Sequence, residues 1–339
     1  MERRLYIDVG STWIKWREGS GEREGEVKKA RFPDRIDMPS PFYEVRIDEI
    51  VRIIEEIIEG TESESVYISV QMHGYLLGDR RGNLLTEYIS WQDKRGKTVE
   101  FDGALPKRSG TAIKDNLPLL SINAMKTLKP EIYGRFEEFF TLGSYIAYRL
   151  TGNNVTHITD AAATGFYDSV TCKSNVEDFL VPCAMKEVCI AGRYKDRKIY
   201  SPVGDQQASV LGAGGDGKGY ILNIGTAAQV CAIAEGYTEG EYESRPYFKD
   251  RTLCTVTNRL GGAYLRENEE DPNLVHKLKS NYGEAIERLP KRDYILVTGG
   301  AMKYYGDVVK EALKPYGLEI KVNDSADALS GLKKLAEEI

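Results

Sequence analysis

Two aspartates and a recurring glycine turn are where this sequence could do chemistry. Asp205 lies in Ser201-Pro-Val-Gly-Asp-Gln-Gln-Ala-Ser, where Gly204 permits a bend and Gln206 to Leu211 form a short helical run ended by Gly212 and Gly214. A carboxylate fixed at such a turn can take a proton from a bound hydroxyl. The same position also suits a plain N-cap, and the residue alone does not choose between the two. Asp8 directly precedes Gly10-Ser11-Thr12, a strand–turn–strand whose consecutive N–H groups suit phosphate oxygens. Lys15 follows on the returning strand, and Asp8 is a candidate to hold Mg²⁺ directly or through water. Many ordinary hairpins carry Asp-x-Gly-x-Thr. Here the grammar occurs twice, because Tyr220 to Ile233 repeats it with Asn223 in the place of Asp8 and Gly225-Thr226 in the place of Gly10-Ser11. That is how a duplicated domain would look.

Other stretches offer groups that bind a polyhydroxylated ligand. Gln71-Met72-His73-Gly74 follows a strand-like run, at the end of a strand where open α/β sheets put their ligands. Trp91, Gln92, Asp93 and Arg95 supply a stacking ring, an amide, a carboxylate and a guanidinium, although an exposed Trp on a charged loop is an equal reading. Thr156 to Gly165, with Asp160, reads as a polar loop of small residues able to reach the same pocket. The chain has only five glutamines, Gln71, Gln92, Gln206, Gln207 and Gln229, and all fall in these stretches. An amide that both donates and accepts is thus kept where a neutral ligand-binding group is useful. Gly299-Gly300-Ala301 sits at a strand-to-helix turn where a base or ribose could rest, or where an ordinary βα turn would look the same.

These residues need a scaffold. Leu5 to Trp16 predicts strand, turn and strand, and Val45 to Ile58 an amphipathic helix closed by Gly60. Val66 to Val70 predicts a buried strand and Glu131 to Thr151 one helix ended by Gly152. Glu239 to Leu260 reads as short strands, Asn273 to Leu289 as a helix, and Tyr294 to Thr298 as a strand before a helix over Met302 to Leu313. Leu318 to Val322 and Ala326 to Glu338 give a last strand and helix. The pattern is α/β. A length of 339 residues suggests two domains with a cleft between them. Lys195 to Pro202 is the best boundary, giving residues 1–200 and 201–339.

Composition narrows the class. With 46 Lys+Arg against 52 Asp+Glu and no charged tail, neither nucleic acid nor a membrane surface is implied as partner. No apolar run approaches the length of a membrane span, so the expected location is the cytoplasm. Five cysteines without a CxxC pair and three scattered histidines argue against a disulfide framework or a zinc site. The abundance of Glu, Lys, Arg and Tyr fits a heat-adapted surface.

Taken in order, Asp8-Val-Gly-Ser-Thr, Gln71-Met-His-Gly, Trp91-Gln-Asp-Lys-Arg, Gly204-Asp-Gln-Gln-Ala, Asn223-Ile-Gly-Thr and Gly299-Gly-Ala resemble the motifs of the FGGY carbohydrate kinases. That family belongs to the actin-like ATPases, so the resemblance implies two ribonuclease-H-like domains with a cleft. It implies ATP-dependent phosphorylation of a sugar, with Mg²⁺ as cofactor and Asp205 as catalytic base. By the same likeness, Gln71, Met72, His73, Trp91, Gln92, Asp93, Arg95, Asp160 and Gln206 are expected on the sugar, and Asp8 on the metal. Gly10, Ser11, Thr12, Lys15, Gly225, Thr226, Gly299, Gly300 and Ala301 are expected on the nucleotide and its phosphates. The domain of residues 1–200 would carry the sugar and the first phosphate motif, and residues 201–339 the nucleotide. The sugar-side loops are most similar to those of sedoheptulokinases, with xylulokinases next, which makes a ketose the expected substrate. The chain departs from the family in lacking a third glycine after Gly299-Gly300-Ala301 and in being short between Thr226 and Gly299. A shortened, sugar-responsive ATP-binding protein is therefore the alternative, and a filament-forming relative is disfavoured by the sugar-type loops. A homodimer is left open.

Overall fold

The computed structural model describes residues 2–21, 23–100, 103–323 and 327–339. The chain forms two compact units, Met1–Ala208 with Leu332–Ile339, and Ser209–Gly331. Each is built on a mixed sheet.

In the first unit, β1 (Arg4–Val9) turns back antiparallel into β2 (Trp13–Ser20), with the Gly10 N–H donating to the Trp13 carbonyl at 3.1 Å. Helix α1 (Ile47–Glu59) follows, and then β3 (Ser65–Val70), which pairs parallel to β1. Side chains alternate between the faces of these strands. Leu5, Ile7, Val9, Val66, Ile68 and Val70 share one core cluster with Ile47, Ile50, Val51, Ile54, Ile57 and Ile58 of α1. Each such buried aliphatic contributes about 1.5–3 kcal/mol, enough to seat the helix on that face. Two features finish the helix: the Ile47 N–H donates to Glu87 Oε2 at 2.8 Å, and Asp48 and Glu49 complement the first-turn dipole. The other face begins with a stacked Tyr67–Tyr200 pair beside Tyr6 and ends with Asp8 and Ser69.

The expected helix from Glu131 to Thr151 is in fact three elements. Pro130–Tyr133 is a single helical turn, β4 (Glu138–Thr141) is a strand, and α2 (Leu142–Thr151) is the remaining helix. Phe139 and Phe140 decide this. They are buried in different core clusters, as the alternation of side chains across a strand provides. Thr141 and Ser144 then form a reciprocal capping box that starts α2. Thr156 to Gly165 also differs from expectation. It is a buried strand end, a helical turn over Ile158–Ala161 and a 3₁₀ turn over Ala162–Thr164.

Near the end of this unit, β5 (Val203–Gly204) pairs parallel to β3, with Gly204 opposite Val70. It runs into α3 (Asp205–Ala213), inside which the division between the units falls.

The second unit repeats the arrangement. Here β6 (Gly219–Ile224) turns into the antiparallel β7 (Ala228–Glu235), and β8 (Arg251–Arg259) pairs with β7. Helix α4 (Leu274–Arg288) leads to β9 (Tyr294–Thr298), parallel to β6, then to α5 (Met302–Leu313) and β10 (Glu319–Asn323). Tyr220, Leu222, Ile224, Ile295 and Val297 pack with α4 and α5. Asn223 and Thr298 are register partners on the opposite face, as Asp8 and Ser69 are in the first unit. A last helix spans Ala328–Glu338, and the expected start at Ala326 lies outside the described residues. No helix among the described residues is long and apolar enough to cross a membrane.

Candidate active site

Three of the expected motifs lie at one edge of the first unit's sheet. Strands β1, β3 and β5 are parallel and adjacent, so Asp8 with Gly10, Gln71 to His73, and Gly204 with Asp205 all leave the sheet at its C-terminal end. Neighbouring strands are roughly 4.8 Å apart, which puts the outer two of these motifs on the order of 10 Å from each other.

Asp8 is almost buried, and the Ser69 hydroxyl donates to its Oδ1 at 2.9 Å, which fixes the carboxylate. Lys15 is its register partner on β2. Ser11 and Thr12 are exposed at the turn. Asp205 is the first residue of α3, and its Oδ1 accepts from the Gln206 N–H at 2.7 Å. The bend before it is held from outside. The Gly204 N–H donates to Thr159 Oγ1 at 3.0 Å, and a side chain at Gly204 would meet Met72 Sδ at 2.6 Å. Gln206 is buried behind it.

The loop after β3 is strained and well anchored. His73 has φ +66°, costly for a residue with a Cβ, and its Nδ1 is 2.8 Å from the Ala163 carbonyl. Gln71 is 3% exposed, yet neither of its side-chain amide atoms has a hydrogen-bond partner among the described residues. Buried polar groups are nearly always satisfied, so an orphaned amide at a strand end is a feature the fold alone does not account for.

Other expected sugar contacts are used within the protein. Arg95 is 1% exposed and donates to both oxygens of Asp93 (2.8 and 2.9 Å) and to Glu44 Oε1 (2.7 Å). Burial pulls its pKa down, but the Tyr75 oxygen and these two carboxylates outweigh that pull and keep the guanidinium charged. Asp93 also accepts from the Tyr43 N–H, so this pair pins distant segments together. Trp91 and Gln92 are on the outside of this ion pair, with Trp91 36% exposed. Asp160 is buried, and its Oδ2 accepts from Thr141 Oγ1 at 2.5 Å and Thr156 Oγ1 at 2.8 Å. Burial raises its pKa to about 6, against the pull of those two hydroxyls. The Thr156 hydroxyl shares its proton between Asp160 and the Pro202 carbonyl, 3.0 Å away, and the His157 N–H donates to the same carbonyl. The Thr156–Asp160 block therefore grips the strand that delivers Asp205.

In the second unit the Gly225 N–H donates to the Ala227 carbonyl at 3.1 Å, as Gly10 does to Trp13. Gly262 and Ala263 donate back to Gly225 and Thr226 at 2.8 and 3.1 Å. Sequence reasoning missed Gly261-Gly262, whose only signal was the doubled glycine. A Cβ at Gly261 would overlap the Ala227 backbone at 2.4 Å. Gly299, at φ +106°, has no room for a side chain because Ile224 O would stand 2.4 Å away, while Gly300 faces open space. Ala301 donates to the Ile224 carbonyl at 3.3 Å. Thr298 Oγ1, also missed, is buried without a hydrogen-bond partner among the described residues. These glycine turns leave bare backbone that a phosphate or ribose can approach closely.

The chain is similar to the xylulose kinase of Staphylococcus xylosus, 21% identical over 237 residues, covering 62% of this chain and 49% of that protein. It is likewise similar to the xylulose kinase of Lactococcus lactis subsp. lactis (24% over 301 residues, 76% and 58%). It thus spans about half the length of the curated relatives it matches. Among solved structures, the ligand-bound xylulose kinase of Lactobacillus acidophilus superposes with a TM-score of 0.87 at 18% identity, over 100% of this chain and 89% of that one. The gluconate kinase of the same organism gives 0.84, also at 18% identity. These likenesses show the fold, the two-domain actin-like ATPase fold. Residues 4–177, just over half of the chain, match the N-terminal domain of the FGGY family of carbohydrate kinases, and the chain belongs to that family.

Proposed function

We propose that this chain transfers the terminal phosphoryl group of ATP to a hydroxyl of a ketose, with Asp205 as general base. The observation that carries this is the convergence of Asp8, Gln71 and Asp205 at the ends of three adjacent parallel strands. Residues 1–200 would hold the sugar and the first phosphate motif, and residues 201–339 the nucleotide. Phosphoryl transfer asks mainly for alignment and charge stabilisation. Asp205 is held by Thr159 through Gly204, in position to take the proton as the hydroxyl attacks. Gly10 to Thr12 and Lys15 offer donors to phosphate oxygens, and Gly225-Thr226 offers a second set. Gly299 to Ala301 would receive the ribose or base.

No group of three or more His, Cys, Asp or Glu placed to hold a metal occurs among the described residues. Mg²⁺ needs none, because one or two carboxylates together with substrate phosphates and water hold it, and Asp8 fits that role. When bound, Mg²⁺ neutralises charge on the phosphates. The names of the relatives support xylulose as substrate, while the loops Gln71-Met-His-Gly and Trp91-Gln-Asp-Lys-Arg support a longer ketose such as sedoheptulose. The reaction would take place in the cytoplasm, where ATP is available.

The test is a panel of xylulose, sedoheptulose, gluconate and glycerol with ATP and Mg²⁺, read by ADP release and product mass. A ketose monophosphate formed only with divalent metal is expected. Phosphorylation of glycerol with refusal of every ketose would overturn the ketose assignment. The short stretch between Thr226 and Gly299 supports one other reading, a sugar-responsive ATP-binding protein, for which both ligands would bind and no ADP appear.

A further inference from the structure

Tyr88 lies outside every motif considered so far, yet its hydroxyl reaches the loop that follows β3. The residue is fully buried, with Phe32 edge-on to its ring. A Cβ placed on Gly74 would stand 2.0 Å from the Tyr88 oxygen, so the phenol fills the space that a side chain at residue 74 would take. The loop of Gln71 to Gly74 is thereby held at three points: Met72 against Gly204, His73 on the Ala163 carbonyl, and Gly74 under Tyr88. The loop starts at the buried Gln71 amide, and the buried Tyr88 hydroxyl lies against its end; neither has a hydrogen-bond partner among the described residues. Burial first, and then the nearby carboxylates of Asp160 and Asp205, push the phenol pKa far up, so it is a neutral O–H donor at every working pH.

A single orphan is an ordinary imperfection. Here one lies on a four-residue loop and the other packs against its end, and each costs desolvation that no contact among the described residues returns. Resting on the kinase reading above, we propose that Tyr88 is a specificity-determining residue whose hydroxyl, together with the Gln71 amide, hydrogen-bonds a hydroxyl of the bound sugar. A site built this way rejects an analogue lacking that hydroxyl, because the protein groups are then left buried and unpaired.

Tyr88→Phe removes one oxygen and keeps the ring, so packing under Gly74 is preserved. The effects on free and sugar-bound protein should have opposite signs. Without sugar, the variant melts at the same temperature as the wild type or higher, because an unsatisfied hydroxyl has been removed. With the preferred ketose, KM rises about tenfold while kcat changes by less than about threefold, one hydrogen bond to the sugar having been lost. In a series of monodeoxy ketoses, one member should bind wild type and variant equally. A lower melting temperature for free Tyr88→Phe with KM unchanged would overturn the assignment and make the hydroxyl a structural group. A wild-type chain that binds ketose, with Tyr88→Phe indistinguishable across the whole series, would overturn this inference alone. A wild-type chain that binds no ketose would overturn the ketose assignment and this inference with it.

Discussion

At the scale of single residues, the same carboxylate chemistry is put to different uses by different surroundings. Asp205 opens a helix at the C-terminal end of the parallel strands, whereas Asp160, one of the expected sugar contacts, accepts from two threonine hydroxyls. Asp205→Asn keeps size and capping capacity, so the melting temperature should hardly move. Turnover should fall by roughly 10²–10⁴ with sugar and nucleotide still bound, as expected when a general base is lost. If Asp205 served only as a cap, Asn would be silent and Asp205→Ala would cost about 1 kcal/mol of stability with little effect on rate. Asp160 predicts a pH effect. Its folded pKa of about 6 lies above the unfolded value, so the folded state holds the proton more tightly, and stability from this group is lost as pH rises from the unfolded pKa through about 6. His157 acts in the opposite sense. Burial lowers its pKa to about 4, so its contribution grows as pH rises from about 4 through the unfolded value. The two partly cancel in the wild type. Asp160→Asn should therefore make stability climb more steeply between about pH 4 and 6, which denaturant melts at several pH values would measure. An unchanged slope would show that Asp160 is already ionised in the fold.

At the scale of elements, short-range signals served strands and turns better than they served one helix. Tyr294–Thr298 and Met302–Leu313 form as their periodicity predicts, and each glycine turn is closed by a bond from its glycine N–H, to the Trp13 carbonyl in one and the Ala227 carbonyl in the other. Glu131 to Thr151 does not stay one helix, because Phe139 and Phe140 each find a different core. No local pattern could reveal that, since the two cores are assembled from segments far away in the chain. The turn at Gly299 gives the element-scale prediction. Gly299→Ala puts a Cβ 2.4 Å from the Ile224 carbonyl in a backbone region that disfavours side chains. It should destabilise by about 1–3 kcal/mol and weaken ATP binding. Sugar binding should be spared. Isothermal titration with each ligand checks this, and equal losses for both would place Gly299 away from the nucleotide.

At the scale of the whole molecule, two units carry the same strand–turn–strand with a parallel neighbour, but Asp8 with Ser69 in one is Asn223 with Thr298 in the other. Only one copy brings a carboxylate, so metal dependence should follow that copy. MgATP at 100 times its Kd should stabilise the chain by about 2.7 kcal/mol. EDTA or Asp8→Ala should remove most of this, while the shift produced by ketose persists. A ketose shift lost in step would put Asp8 on the sugar side. The sequence by itself determined the motifs and their order, because glycine turns, caps and alternating apolar strands are dictated by backbone sterics and side-chain periodicity over a few residues. What only the tertiary structure decided is which polar groups are already satisfied. Arg95 is neutralised in part by Glu44 and Asp160 is held by Thr141, while the Gln71 amide and the Tyr88 hydroxyl have no hydrogen-bond partner among the described residues. A polar side chain advertises its chemistry in sequence, but whether it serves the fold or a ligand depends on which distant groups close around it, and that is fixed only when the core assembles.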